Sequence, residues 1–211
     1  MTLNTGVADD RLGQYYRRIA AIADRLGKSL DFEKVMSALQ RIHDGELDRL
    51  VLRPAGFPVW LEIEVGGKSE DELLAEIVAN GMFASNYAKD IMSKAAWQPG
   101  ERESIQFGRV PVKELGFSQP PTTTELWSRI EELGHWLCEP GDGPALRVAF
   151  KGQSRATVYW TALKQITDSD SGPYVFTLEC RGAGTAWLNG IWSSPDDRWN
   201  LDCVVVFRLR N

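Results

Sequence analysis

From residue 145 onward the chain is a succession of short apolar segments broken by turn clusters, and this rhythm restricts the fold more than any other feature. The segments are Ala145 to Phe150, Thr157 to Ile166, Tyr174 to Cys180, Thr185 to Trp192 and Cys203 to Leu209. Clusters rich in Gly, Ser, Asp and Pro separate them: Asp168 to Pro173, Gly182 to Gly184 and Ser193 to Asp197. Segments of this length, rich in Val, Thr and aromatics, read as strands, and short turns between them predict an antiparallel meander or small barrel.

The upstream half carries helical signals. Leu12, Tyr15, Ile19, Ile22 and Leu26 recur at helical spacing, and so do Phe32, Val35, Met36, Leu39 and Ile42. Together they predict a helical hairpin ahead of the Pro54, Gly56 and Pro58 punctuation. Val59 to Val65 alternates as a half-buried strand. Ser69 with Glu72, and Thr122 with Glu125, are capping boxes: the hydroxyl and the carboxylate each satisfy a free N–H of the first turn. The first predicts a helix through Leu73, Leu74 and Ile77. The second predicts one through Leu126, Ile130 and Leu133. Ser85 caps a short helix between them, and Ile105 to Val112 reads as a strand with room for a bulge at Gly108. The expected fold class is α+β: a helical N-terminal part over residues 1–57, then a mostly antiparallel β-sheet or small barrel over 58–211 with one packed helix.

Charge narrows the partners. The formal net charge is −5, and neither half of the chain is basic, so composition offers no stripe for phosphate neutralisation and nucleic acid is not an expected partner. The start of the chain, Met1 to Asp10, is polar and acidic without an apolar leader. No apolar run approaches the ~20 residues that span a bilayer, so no membrane partner is expected. Three cysteines at wide spacing, Cys138, Cys180 and Cys203, do not form a disulfide framework and suit a reducing cytoplasm.

Several blocks occur in a recognisable order: Ala79-Asn80-Gly81-Met82 with Ala88-Lys89-Asp90, then Leu115-Gly116-Phe117. Next come Leu137-Cys138, Gly143 to Arg147 and Ile166 to Asp170, and finally Trp187-Leu188 with Pro195 to Trp199. On these blocks the chain resembles a family of uncharacterised bacterial proteins over about residues 70–207. Glu139 stands where that pattern has proline. The resemblance implies a bacterial protein of one compact design and carries no activity with it.

Candidate chemistry is sparse. Asp168-Ser169-Asp170-Ser171-Gly172 opens like a calcium loop, but the glycine comes one place early, and Asp side chains bonding nearby N–H groups of a turn explain it better. His135 and Cys138 form half a zinc site, or a nucleophile and base if they touch. Acid pairs, Glu139 with Asp142, Asp168 with Asp170 and Asp196 with Asp197, all fall in predicted turns. Nothing in the sequence calls for a cofactor or a metal.

Eight Trp in 211 residues is the compositional oddity. Trp187, Trp192 and Trp199 lie close together, interleaved with Asn189, Asp196 and Arg198, and Trp160 lies on an earlier segment. Aromatics beside amides and charges can stack on sugars, bases or peptides. The function expected from sequence is therefore a non-catalytic binding module with a ligand or protein partner. Its surface would be built from Trp160, Asn189, Trp192, Asp196, Arg198 and Trp199, and its N-terminal helices would serve self-association. Two alternatives remain. One is a hydrolase-like enzyme using Asp168, Asp170 and Asp196. The other is a nucleic-acid-associated factor through a helix-turn-helix over 73–94.

Overall fold

Both capping boxes form as the sequence predicts. Ser69 Oγ accepts from Glu72 N–H, and the Glu72 carboxylate accepts from Ser69 N–H at 2.7 Å, starting helix α1, Glu70–Ala79. The computed structural model describes residues 56–95, 100–182 and 184–210. The N-terminal helical hairpin, and the self-association expected of it, lie outside the described residues. Residues Arg53–Asn211 form one compact unit.

Strand β1, Leu61–Val65, precedes α1. A two-residue strand β2, Phe83–Ala84, follows it, and Ser85 then caps helix α2, Asn86–Lys94. Strand β3, Glu103–Pro111, leads through a single 3₁₀ turn to helix α3, Thr123–Glu132. Helix α4, Asp142–Ala149, comes next. The remaining strands are β4 (Val158–Thr161), β5 (Ile166–Thr167), β6 (Pro173–Arg181), β7 (Thr185–Trp192) and β8 (Val204–Arg208).

The strands form one eight-stranded sheet in the order β1-β3-β8-β4-β6-β7-β2, with β5 paired to β6. This corrects the expected mostly antiparallel sheet with one packed helix. The sheet is mixed and curved into a half-barrel, and four helices belong to the described part. Two pairs are parallel, β4 with β8 and β2 with β7. Parallel neighbours need a crossover, and for β8 beside β4 residues 193–203 supply it by passing from β7 across to β8. Local sequence carries no signal for that crossing, because alternation looks the same in either strand direction. The β3–β8 register runs without interruption through Gly108, so no bulge forms there.

Ala145 to Phe150 is not the strand expected from its sequence but most of α4. Burial follows helical rather than alternate spacing: Gly143, Leu146 and Arg147 are buried together. Pro144 sits in the first turn, where its missing N–H costs no helical bond.

Register sorts the long β6–β7 hairpin into two faces. Phe176, Leu178, Leu188 and Gly190 share the inner face, while Thr177, Glu179, Asn189 and Trp187 share the outer one. The inner face is covered by helices at very short range. A Cβ on Gly143 of α4 would lie 2.8 Å from the Phe176 side chain. A Cβ on Gly190 of β7 would lie 2.8 Å from the backbone of Tyr87 in α2. Both positions are glycine because a methyl has no room. Gly190→Ala should therefore destabilise by about 1–3 kcal/mol, since the obstacle is backbone. Gly152→Ala, which meets nothing within 4 Å, should change stability by no more than about 0.5 kcal/mol. Paired urea titrations of the two variants check this.

Candidate functional site

The residues singled out in the sequence divide between two places. Trp199 is buried, and its Nε1 donates to Thr123 Oγ1 at 2.9 Å. Its ring meets Trp160 edge-on at 4.8 Å and Trp127 at 5.4 Å. This cluster glues the 193–199 segment to the start of α3. Thr123 N–H donates to the Asp197 carbonyl, Thr124 N–H to the Pro195 carbonyl, and Trp199 N–H to the Pro121 carbonyl. Arg198 Nη1 donates to the Pro120 carbonyl at 2.8 Å, and Asp196 lies exposed in the neighbouring turn. Trp160, Trp199 and Arg198 are therefore engaged in holding a loop on a helix.

Trp192 and Asn189 sit elsewhere, at an open cleft of about 710 Å³ along the outer edge of β7. Strand β2 pairs only with Trp187 and Leu188, so the rest of this edge has no strand beside it among the described residues. Three side chains around the cleft are about half exposed: Phe83 at 50%, Tyr87 at 57% and Trp192 at 52%. Phe83 stacks on Trp187 at 4.9 Å, Tyr87 stacks on Tyr174 at 5.6 Å, and Tyr174 meets Trp192 edge-on at 6.0 Å. Phe83, Tyr87 and Tyr174 carry no local sequence signal for this. Only the β2–β7 pairing and the seating of α2 on Gly190 bring them together.

A polar network forms the outer-face floor beside the cleft. Glu179 is buried on β6, yet its carboxylate is pinned by three donors. Thr177 Oγ1 donates at 2.9 Å and Asn189 Nδ2 at 3.0 Å to one oxygen, and Arg181 Nε donates at 2.5 Å to the other. Burial works against its charge, but the hydrogen bonds from Arg181, Asn189 and Thr177 prevail and hold the carboxyl below its ordinary pKa. The Arg181 guanidinium lies over the Trp187 ring at 5.3 Å. Alternation along β6 already marks Thr177, Glu179 and Arg181 as one polar face, and this was the available signal for them.

The other candidates resolve into structural roles. Asp168 Oδ1 accepts from Asp170 N–H at 3.0 Å and Gly172 N–H at 2.7 Å, which is turn chemistry. Asp197 likewise accepts from Ser194 N–H. Ser169 is tied to Asp90 of α2 through both its N–H and its hydroxyl. The Asp142 carboxylate takes the Arg208 fork at 2.7 and 2.8 Å. Arg208 Nη1 also reaches Glu139 and Glu103, and Lys68 pairs with Glu76, so both cations that line a second cleft of about 470 Å³ beside Arg208 are already engaged. The Cys138 thiol donates to the Val206 carbonyl, and burial pushes its pKa well up, which is the opposite of an activated nucleophile. His135 Nδ1 accepts from Arg210 N–H between the rings of Phe57 and Phe207. The 73–94 segment is not two helices joined by a turn alone, because β2 intervenes and joins the sheet.

No protein-family model, curated protein or solved structure matches this chain. No helix among the described residues is long and apolar enough to cross a membrane.

The Glu179 network makes stability depend on pH in a definite sense. A carboxyl whose folded pKa lies below its unfolded value contributes stability above that unfolded value. The contribution is lost as pH falls through the folded pKa. Glu179→Gln should destabilise at pH 7 by about 1–3 kcal/mol, because an amide N–H₂ would face the Arg181 donor. It should also flatten the loss of stability below about pH 4.5, the ordinary Glu value. Thermal midpoints of both proteins measured from pH 7 down to pH 3 check both parts.

Proposed function

We propose that this protein is a binding module, and that its ligand site is the aromatic cleft on the outer edge of β7. The observation that carries the reading is the convergence of Phe83, Tyr87 and Trp192, each half exposed, on a single cleft. Leaving a large aromatic in water forfeits roughly 1.5–3 kcal/mol relative to burying it. Isolated exposed apolar residues need no explanation, but a contiguous cluster marks an interaction surface. The aromatics are also held rigidly, since Trp187 and Tyr174 back them by stacking. A preset surface loses little conformational entropy on binding.

Trp192 and Asn189 carry this reading over from the sequence. Trp160, Trp199, Arg198 and Asp196 do not enter it. All three cysteines are free, which agrees with action in a reducing compartment such as the cytoplasm.

Trp192 is one of eight Trp, and Trp136 is also half exposed, so Trp192 emission is read as the difference between the native protein and Trp192→Phe. Acrylamide should quench its emission in the free protein, and a ligand from a panel of glycans, nucleotides and short peptides should protect it. Trp192→Ala should remove that protection and weaken binding about tenfold or more, as truncating a central aromatic does. If acrylamide quenching stays unchanged across the whole panel in the native protein, the cleft is not a ligand site for these classes.

A further inference from the structure

The cleft has one charged residue in its lining, and that residue is prepared for a partner. Arg181 spends only Nε on the protein, donating it to Glu179. Its Nη1 and Nη2 have no hydrogen-bond partner among the described residues. The guanidinium plane rests on Trp187, and Glu179 is itself pinned by Thr177 and Asn189. The fork is therefore fixed from behind and from one face, with its two terminal nitrogens left over.

The backbone beside it is also unfinished. In antiparallel pairing, alternate residues turn their N–H and C=O toward the neighbour and the rest turn them outward. The Leu188 carbonyl points outward, because it accepts from Ser85 N–H. Gly190 and Trp192 therefore point outward as well. Gly190 N–H is met by Ser85 Oγ at 3.4 Å. Its carbonyl and the polar groups of Trp192 face the side where β2 has already ended.

We propose that the cleft takes an extended peptide bearing a carboxylate, with the carboxylate on the Arg181 fork and the peptide backbone along the free edge of β7. This rests on the reading of the cleft as a ligand site. An extended segment can use strand-edge groups and set alternate side chains against aromatic walls. A planar carboxylate matches the two parallel donors of a guanidinium. A single guanidinium already neutralised in part by Glu179 suits a monoanion better than a phosphate dianion, which draws on several cations. Arg181 is the one cation in the lining, so a carboxylate that enters the cleft finds its donors there.

The test uses the full chain and three pools of N-acetylated, Trp-free hexapeptides, each containing Phe. One pool carries an internal Asp or Glu with an amidated C-terminus. One is neutral with a free C-terminal carboxylate. One is neutral and amidated. Binding is read by protection of Trp emission from acrylamide. At least one carboxylate pool should bind about tenfold or more tightly than the neutral amidated pool, the scale of a charge-assisted hydrogen bond. Which of the two binds identifies the source of the carboxylate. Arg181→Gln should bring the pools within about twofold of one another. Arg181→Lys, which keeps the charge without the fork, should recover only part of the difference. Trp192→Ala, with binding read by calorimetry because the reporter is gone, should weaken every pool alike.

Equal binding of all pools, or a preference that survives in Arg181→Gln, overturns the assignment to Arg181 and leaves the cleft as a peptide site. Binding of a glycan or nucleotide with no peptide pool bound overturns the peptide assignment and leaves the cleft as a ligand site. Failure of every probe to protect Trp192 overturns both.

Discussion

The Arg208–Asp142 pair is the joint from which the rest of the fold is hung. Arg208 ends β8, a central strand of the sheet, and Asp142 opens α4. The fork closes on the carboxylate through Nε and Nη2, and the same carboxylate accepts from Glu139 N–H at 2.7 Å. Burial of Arg208 disfavours its charge, but Asp142 and Glu139 more than compensate, and its pKa lies above the ordinary arginine value. Breaking such a pair from one side leaves an uncompensated buried charge, which costs roughly 3–5 kcal/mol. The pair therefore specifies where α4 begins and on which strand it rests. With α4 so placed, Gly143 meets Phe176, and the half-barrel acquires its inner layer.

Close approach on the inner face has a consequence on the outer edge. Because Gly190 lets α2 come down onto β7, the chain must leave the sheet at Ser85, and β2 stops after two residues. The truncated strand strands Phe83 in water on one side of the gap and Tyr87 on the other. Trp192 and Tyr174 complete the wall. The cleft is thus a product of helix seating rather than of any motif. Its polar floor follows from strand alternation, which sets Thr177, Glu179 and Arg181 on the face opposite α2 and α4.

Tryptophan shows how far composition carries. Trp199 and Trp192 are seven positions apart and look equivalent in sequence. One closes a core cluster with Trp160 and Trp127, and the other stands half in water. The difference comes from the crossover between β7 and β8. It lays the 195–199 segment across the first turn of α3, where Thr123 offers its hydroxyl to the indole. The Asp-rich turn at 168–172 was legible in sequence, because a carboxylate satisfying N–H groups two and four residues ahead is a local interaction.

What the sequence determined by itself is whatever short-range physics decides. The two capping boxes, the Ser85 cap, the ends of β6 and β7 and the turn between them are all readable from residues a few places apart. Tertiary structure decided the rest. It turned Ala145 to Phe150 into a helix, because the ion pair to Arg208 and the close fit against Phe176 outweigh a weak alternation. It made two strand pairs parallel, because direction depends on a crossover and not on side-chain pattern. It also assembled Phe83, Tyr87, Arg181 and Trp192 around one cleft, since residues a hundred positions apart meet only when the sheet and its helices have chosen their register.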